Sequence, residues 1–142
     1  MALVIKRDRF TPLKKQPVYY RDFVASMDMS AGSNDITAVE NVDSVKTSIR
    51  NIVLTNRGER FFNSEFGCDV RQMLFENIDS GTESAIKSLI ELAITNFEPR
   101  AKLIDVVVSG QQDINAYTIT VVFSTINSPE PQVLDLILTR VR

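Results

Sequence analysis

Histidine and tryptophan are both missing from this chain of 142 residues, and Cys68 is its only cysteine. Without histidine, and with one thiol, transition-metal sites and imidazole-based acid–base catalysis lose their usual ligands and bases, so neither a metal nor a cofactor is expected. One cysteine also forbids a disulfide within the chain. No apolar run approaches the ~20 residues that a membrane-spanning helix needs, so no membrane partner is expected. The apolar part of Met1-Ala2-Leu3-Val4-Ile5-Lys6-Arg7 is too short for a secretory signal, which makes cytoplasmic synthesis the default. Walker, Rossmann and nucleophile-elbow signatures are absent too.

What is present is an ordinary globular composition, 44% hydrophobic and 24% charged, in a length that fits one domain. Charge is uneven along it. Residues 1–30 hold six basic groups (Lys6, Arg7, Arg9, Lys14, Lys15, Arg21) against three acidic ones (Asp8, Asp22, Asp28), whereas the remainder is net acidic. With Pro12, Pro17 and no helical apolar period, residues 1–19 read as an extended basic arm, and residues 20–142 as a single domain. Nucleic acid is not the expected partner of the arm, since its cations are interspersed and carry no aromatic–basic repeat. Residues 27–38 are small and polar and read as a loop.

Val42, Val45, Ile49, Ile52 and Val53 gather on one face of a helix from Val42 to Leu54, with Asn41 or Asp43 as its cap and Gly58 left-handed beyond its end. The following Arg57–Asp69 stretch has no period, and its three phenylalanines are expected to plug a loop onto the core. A short helix from Val70 to Glu76 would bury Met73 and Leu74. Ser80 and Glu83 have capping-box spacing, and Ile86, Leu89, Ile90, Ala93, Ile94 and Phe97 then form an unbroken stripe. Pro99, lacking an N–H, stops that helix. Glu98 and Arg100 flank the stop with their charged ends expected to be free.

Three strands follow. Residues 102–108 are β-branched, residues 117–124 alternate, and Val133–Val141 places Leu134, Leu136 and Leu138 on one face. Asn127–Pro131 is read as the turn before the last strand. The predicted fold is α+β: two main helices packed on a small antiparallel three-stranded C-terminal sheet, with an extended N-terminal arm. The last strand carries apolar residues on both faces and has no element after it, so it is either covered by the arm or open to a strand from another chain. Glu65 with Asp69, or with Glu98, could supply the two carboxyls of a glycosidase, but spacing does not place them across a scissile bond.

Ser48–Arg60 resembles the helix-to-loop segment of the baseplate wedge sheath-initiator family of contractile-tail bacteriophages, type VI secretion systems and tailocins. Phe66-Gly67-Cys68-Asp69 with Leu74-Phe75-Glu76-Asn77 is similar to its next block, Glu98-Pro99-Arg100 to its signature tripeptide, and Tyr20-Arg21-Asp22-Phe23 to its N-terminal motif. The basic arm is not part of the usual pattern. The resemblance implies a structural, non-enzymatic component of the virion tail baseplate, made and assembled in the host cytoplasm and present in several copies in a six-fold assembly. It implies docking of Glu98, Pro99 and Arg100 on the helical core bundle of other wedge proteins. It also implies strand exchange with the tail sheath protein through Val133, Leu134, Asp135, Leu136, Ile137, Leu138 and Thr139, with tail tube or hub proteins as further neighbours. The alternative is a lysozyme-like peptidoglycan hydrolase of the tail, a label some family members have carried.

Overall fold

Residues 17–24, 26–29, 32 and 35–140 are described in a computed structural model of the chain. The arm up to residue 16 lies outside the described residues. In chain order the elements are β1 (Arg21–Phe23), β2 (Ala38–Glu40), α1 (Val42–Leu54), α2 (Val70–Met73), α3 (Ser80–Phe97), β3 (Ala101–Gln111), a 3-10 turn (Gln112–Ile114), β4 (Ala116–Thr125) and β5 (Ser128–Thr139). The predicted α+β architecture is present, with β3, β4 and β5 forming an antiparallel meander.

α1 buries Val45, Ile49, Ile52 and Val53 as its period requires, but its start is not capped by a side chain. Asn41 sits at φ 51°, and its amide is used elsewhere. The Asn41 side-chain oxygen accepts the Tyr19 N–H at 2.8 Å, and its NH2 donates to the Pro17 carbonyl at 3.1 Å. Asn41 therefore ties down the N-terminal segment instead of the helix, and Asp43 in the first turn is left to favour the helix dipole. α1 closes through extended Thr55, and Gly58 takes its positive φ of 84° in the turn beyond.

Gly67 is fixed by two constraints at once. Its φ is 116°, and a Cβ there would collide with the Thr55 carbonyl oxygen. That close approach lets the Cys68 N–H donate to the same oxygen at 2.8 Å, folding the loop back on the end of α1. Cys68 is buried, and burial pushes its thiol up to about 11.

Only one of the three loop phenylalanines packs as expected. Phe66 lies 5.2 Å from the Phe97 ring, with the Arg60 guanidinium 3.8 Å over it. Phe61 and Phe62 are fully exposed. The Gly58 N–H donates to Ser64 and the Phe66 N–H to Asn63, so the loop closes on itself and holds residues 61 and 62 at its tip. α2 is shorter than its pattern suggests. It buries Val70 and leaves Met73 and Leu74 half-buried against the core.

α3 is capped one residue earlier than the capping-box spacing predicts. The Asp79 carboxylate accepts the Thr82 N–H at 2.7 Å, a contact that holds its carboxyl below the usual range. Glu83 is thereby free to reach the sheet, where its carboxylate accepts the Gly110 N–H at 2.7 Å. The α3 stripe packs as expected, with Ile86, Ile90, Ala93 and Ile94 buried and Leu89 and Phe97 at its margins. They meet Val106 of β3, Tyr117, Ile119, Val121 and Phe123 of β4, and Leu136 and Leu138 of β5 in one core. Lys87, on the other side of α3, ties helix to strand through Asp105 at 2.9 Å.

Two strand assignments differ from the pattern. β5 begins at Ser128, so Pro129 and Pro131 lie inside it and the turn shortens to Ile126-Asn127. Proline is tolerated there because β5 is an edge strand and a nitrogen facing solvent needs no donor. At the end of the 27–38 stretch read as a loop, Ala38–Glu40 pairs antiparallel with Arg21–Phe23, Arg21 facing Glu40, and inside that stretch a Met29–Ile36 bridge extends the ladder.

Candidate functional site

Two features of the domain surface hold the residues singled out in the sequence. The first is the corner where α3 gives way to β3. Pro99 ends the helix, and Glu98 turns its side chain inward until 2% of it is exposed. The Arg100 Nε donates to Glu98 Oε1 at 2.6 Å and its Nη2 to Oε2 at 2.7 Å, a planar two-bond fork between residues two apart. Burial alone would raise the Glu98 carboxyl. The Arg100 fork outweighs it, helped by the Ser48 hydroxyl of α1, and holds the group below the usual glutamate range. Arg100 is pushed up, chiefly by its bonds to Glu98, with Asp22 adding attraction.

The charged ends are therefore not both free. Glu98 is a buried anchor, whereas Pro99 is exposed and about a third of the Arg100 side chain still meets solvent. The Arg100 guanidinium also lies 5.3 Å over the ring of Tyr20. Tyr20-Arg21-Asp22-Phe23 and Glu98-Pro99-Arg100, 75 or more residues apart in the chain, thus meet at one corner. The hairpin end joins them, since the Ile126 N–H donates to the Arg100 carbonyl.

The second feature is the outer edge of β5. Among the described residues β5 pairs on one side only, with β4, from Ala116↔Thr139 to Thr125↔Ser128. Pro129 and Pro131 have no N–H to offer, so the stretch able to accept another strand runs from Gln132 to Thr139. Leu136 and Leu138 face the core and Leu134 its margin, while Val133 and Ile137 are 50% and 67% exposed on the outer face. Asp135 accepts the Thr120 hydroxyl at 2.7 Å on that face. β3 forms the opposite edge, but a bulge between Leu103 and Asp105 interrupts it. β5 has its own register shift opposite Phe123–Thr125, where its two prolines lie, and pairs without interruption from Gln132 to Thr139. Beside its far end lies a groove of about 410 Å3, lined by Leu54, Leu74, Phe75, Ile137 and the cations Arg71 and Arg140.

The carboxylates considered for hydrolysis are differently placed. Asp69 faces Arg57 at 3.7 Å, Glu65 is exposed, and Glu98 is closed off by Arg100. A general acid needs a raised carboxyl in a cleft, and Glu98 is shifted the other way. Among the described residues no group of three or more Cys, Asp or Glu is placed to hold a metal ion, and no helix is long and apolar enough to cross a membrane.

The domain thus combines a buried bidentate corner, a helix pair and a three-stranded meander. The chain belongs to the family described as baseplate wedge protein gp25, whose model matches residues 39–130. The baseplate wedge protein gp25 of Enterobacteria phage T4 is 33% identical over 111 residues, spanning 78% of this chain and 83% of that protein. Among solved structures, a Geobacter sulfurreducens protein provisionally described as a tail lysozyme superposes with a TM-score of 0.65 at 25% identity, covering 70% of this chain and 91% of that one. A chain of the anti-feeding prophage baseplate, solved with six-fold symmetry, has the same fold, with a TM-score of 0.60 at 21% identity over 83% of each.

Sequence reasoning missed the partnership of Tyr20 and Asp22 with Arg100, although it had singled out both motifs. A tyrosine two residues before an aspartate, in a segment tied to Asn41, was the available signal. It also missed the exposure of Phe61 and Phe62, for which adjacency was the clue: neighbours at a loop tip cannot both turn to one core.

Proposed function

We propose that the chain is a structural adaptor of a contractile-tail baseplate wedge, which docks on the wedge core bundle and starts the tail sheath by strand exchange. The observation that carries this is the edge of β5, proline-free from Gln132 to Thr139, with apolar side chains on both faces. An added strand would complete its ladder, and Val133 and Ile137 would gain cover on the outer face. The corner supplies docking in a different manner from two free charges. Glu98 positions Arg100, and Pro99 with the exposed part of Arg100 forms the surface that meets the bundle. Charge-assisted bonds at such a desolvated corner are worth ~1.5–3 kcal/mol each, enough to decide assembly. Copies would repeat around a six-fold baseplate, alongside tail tube or hub proteins, after assembly in the host cytoplasm. The hydrolase alternative is disfavoured by the closed Glu98 fork and by the exposure of Glu65.

The edge is tested with Val133→Lys/Ile137→Lys. Both side chains are exposed, so the fold should hold, while lysines on an edge oppose strand addition. The expected result is an unchanged melting temperature and baseplates that no longer nucleate sheath. Sheath growth at the normal rate from this variant overturns the strand-exchange reading.

A further inference from the structure

The groove beside the end of β5 has walls that the core leaves uncovered. Leu54 at the end of α1, with Leu74 and Phe75 just after α2, forms one wall, and Ile137 to Arg140 form the other, around about 410 Å3. Phe75 and Ile137 are large and apolar, yet each is more than half exposed. We infer that this groove is a side-chain pocket for the strand added to β5, selecting a strand with a large apolar residue and a carboxylate two positions from it. The inference rests on the strand-exchange reading and names the chemistry of the segment which that reading requires.

Position is the first support. The groove lies between an edge strand and the helices covering the sheet, so a strand laid along Gln132–Thr139 runs beside it. Leu138 faces the core and lines the groove, and the helix-facing side chains of an added strand point the same way. Charge is the second. Arg71 and Arg140 line the groove and no Asp or Glu among the described residues does. Neither arginine has an ion-pair partner among the described residues.

The third support is that one of these cations is already held in place. The Arg140 N–H donates to the Asn115 carbonyl at 3.1 Å, and its guanidinium lies 5.4 Å over the Phe75 ring. Contact with a ring engages the π-electrons and consumes none of the five N–H donors, which stay available to a carboxylate. Residues two apart on a strand share a face about 7 Å apart, so one extended segment presents both groups to one groove. A second copy of this chain fits less well. Paired antiparallel through its own β5, it would bring only Leu134, Leu136 and Leu138 to that face, with no carboxylate.

Fluorescence anisotropy with labelled ten-residue peptides, blocked at both ends, tests this on the full chain. The peptides alternate valine and threonine and carry leucine with, two positions on, either aspartate or lysine; each is made in both sequence directions. In one direction the aspartate peptide should bind about tenfold tighter than the lysine peptide. Arg71→Glu/Arg140→Glu, on exposed side chains, should keep the melting temperature and reverse the preference. Should that variant melt lower, Arg71→Glu alone decides, and should weaken the aspartate peptide about threefold. Equal affinity for both peptides, a preference that survives these substitutions, or no binding by any peptide overturns the pocket. Self-association of the chain that Arg71→Glu/Arg140→Glu removes, without a peptide preference, puts a second copy there and overturns it too. Binding that lacks a charge preference but is weakened by Val133→Lys, outside the groove, removes the pocket and leaves strand addition standing.

Discussion

Arg100 and Glu98 are unequal partners, and their substitutions should show it. Arg100→Ala would leave an almost fully buried carboxylate without its fork. The expected loss is about 2–3 kcal/mol, below that of a fully buried pair because Arg100 is one-third exposed. Glu98→Gln/Arg100→Ala should cost less than Arg100→Ala alone, since the amide needs no counter-charge; urea midpoints measure both. The pair also fixes a pH dependence. Because the folded carboxyl lies below its ordinary value of 4.5, its contribution is complete above that value and fades as pH falls through the lowered one. The stability gap between the native chain and Glu98→Gln should therefore shrink below pH 4.5 and stay level above it. Phe61→Ser/Phe62→Ser is the contrasting case. These rings cover no core, so stability should change by no more than about 0.5 kcal/mol.

The junction between α1 and the following loop is held at Gly67, whose conformation and contact with Thr55 both exclude a side chain. Gly67→Ala should cost about 2 kcal/mol or more and should loosen the cover over Cys68. Thiol labelling at pH 8 reads this directly: the native chain, with a buried thiol whose pKa is about 11, should label slowly, and the variant faster. This junction also shows what was legible in advance. The Val42–Leu54 stripe and the α3 stripe are repeated signals spread over many residues, and packing reinforces them, so both helices stand where their period places them. Caps are single-residue decisions open to capture by distant groups. Asn41 is taken by Tyr19 and Pro17, and Glu83 by Gly110, and neither partner is visible from local spacing. The prolines of β5 read as a turn because local chemistry favours one, whereas an edge strand removes the objection to them. The strand Ala38–Glu40 has only three residues and needed its partner Arg21–Phe23 to be recognisable.

Across the whole molecule, the corner and the edge are tied to different parts of the fold. Arg100 answers to Glu98, Tyr20 and Asp22 at the end of α3, whereas Val133 and Ile137 project from a strand held by β4. No hydrogen bond or ion pair among the described residues links Arg100 to Val133 or Ile137 through a shared side-chain partner. Substitutions without shared partners usually act independently. An adaptor with two such faces should therefore fail in two separable ways. Glu98→Gln/Arg100→Ala should give a folded chain absent from purified wedges. Val133→Lys/Ile137→Lys should give a chain that enters wedges in normal amount and starts no sheath. Quantifying the chain in isolated wedges, and sheath on completed baseplates by electron microscopy, distinguishes the two. If both variants instead lost wedge entry to the same degree, the edge would belong to the docking surface, and the division of labour between corner and strand would be wrong.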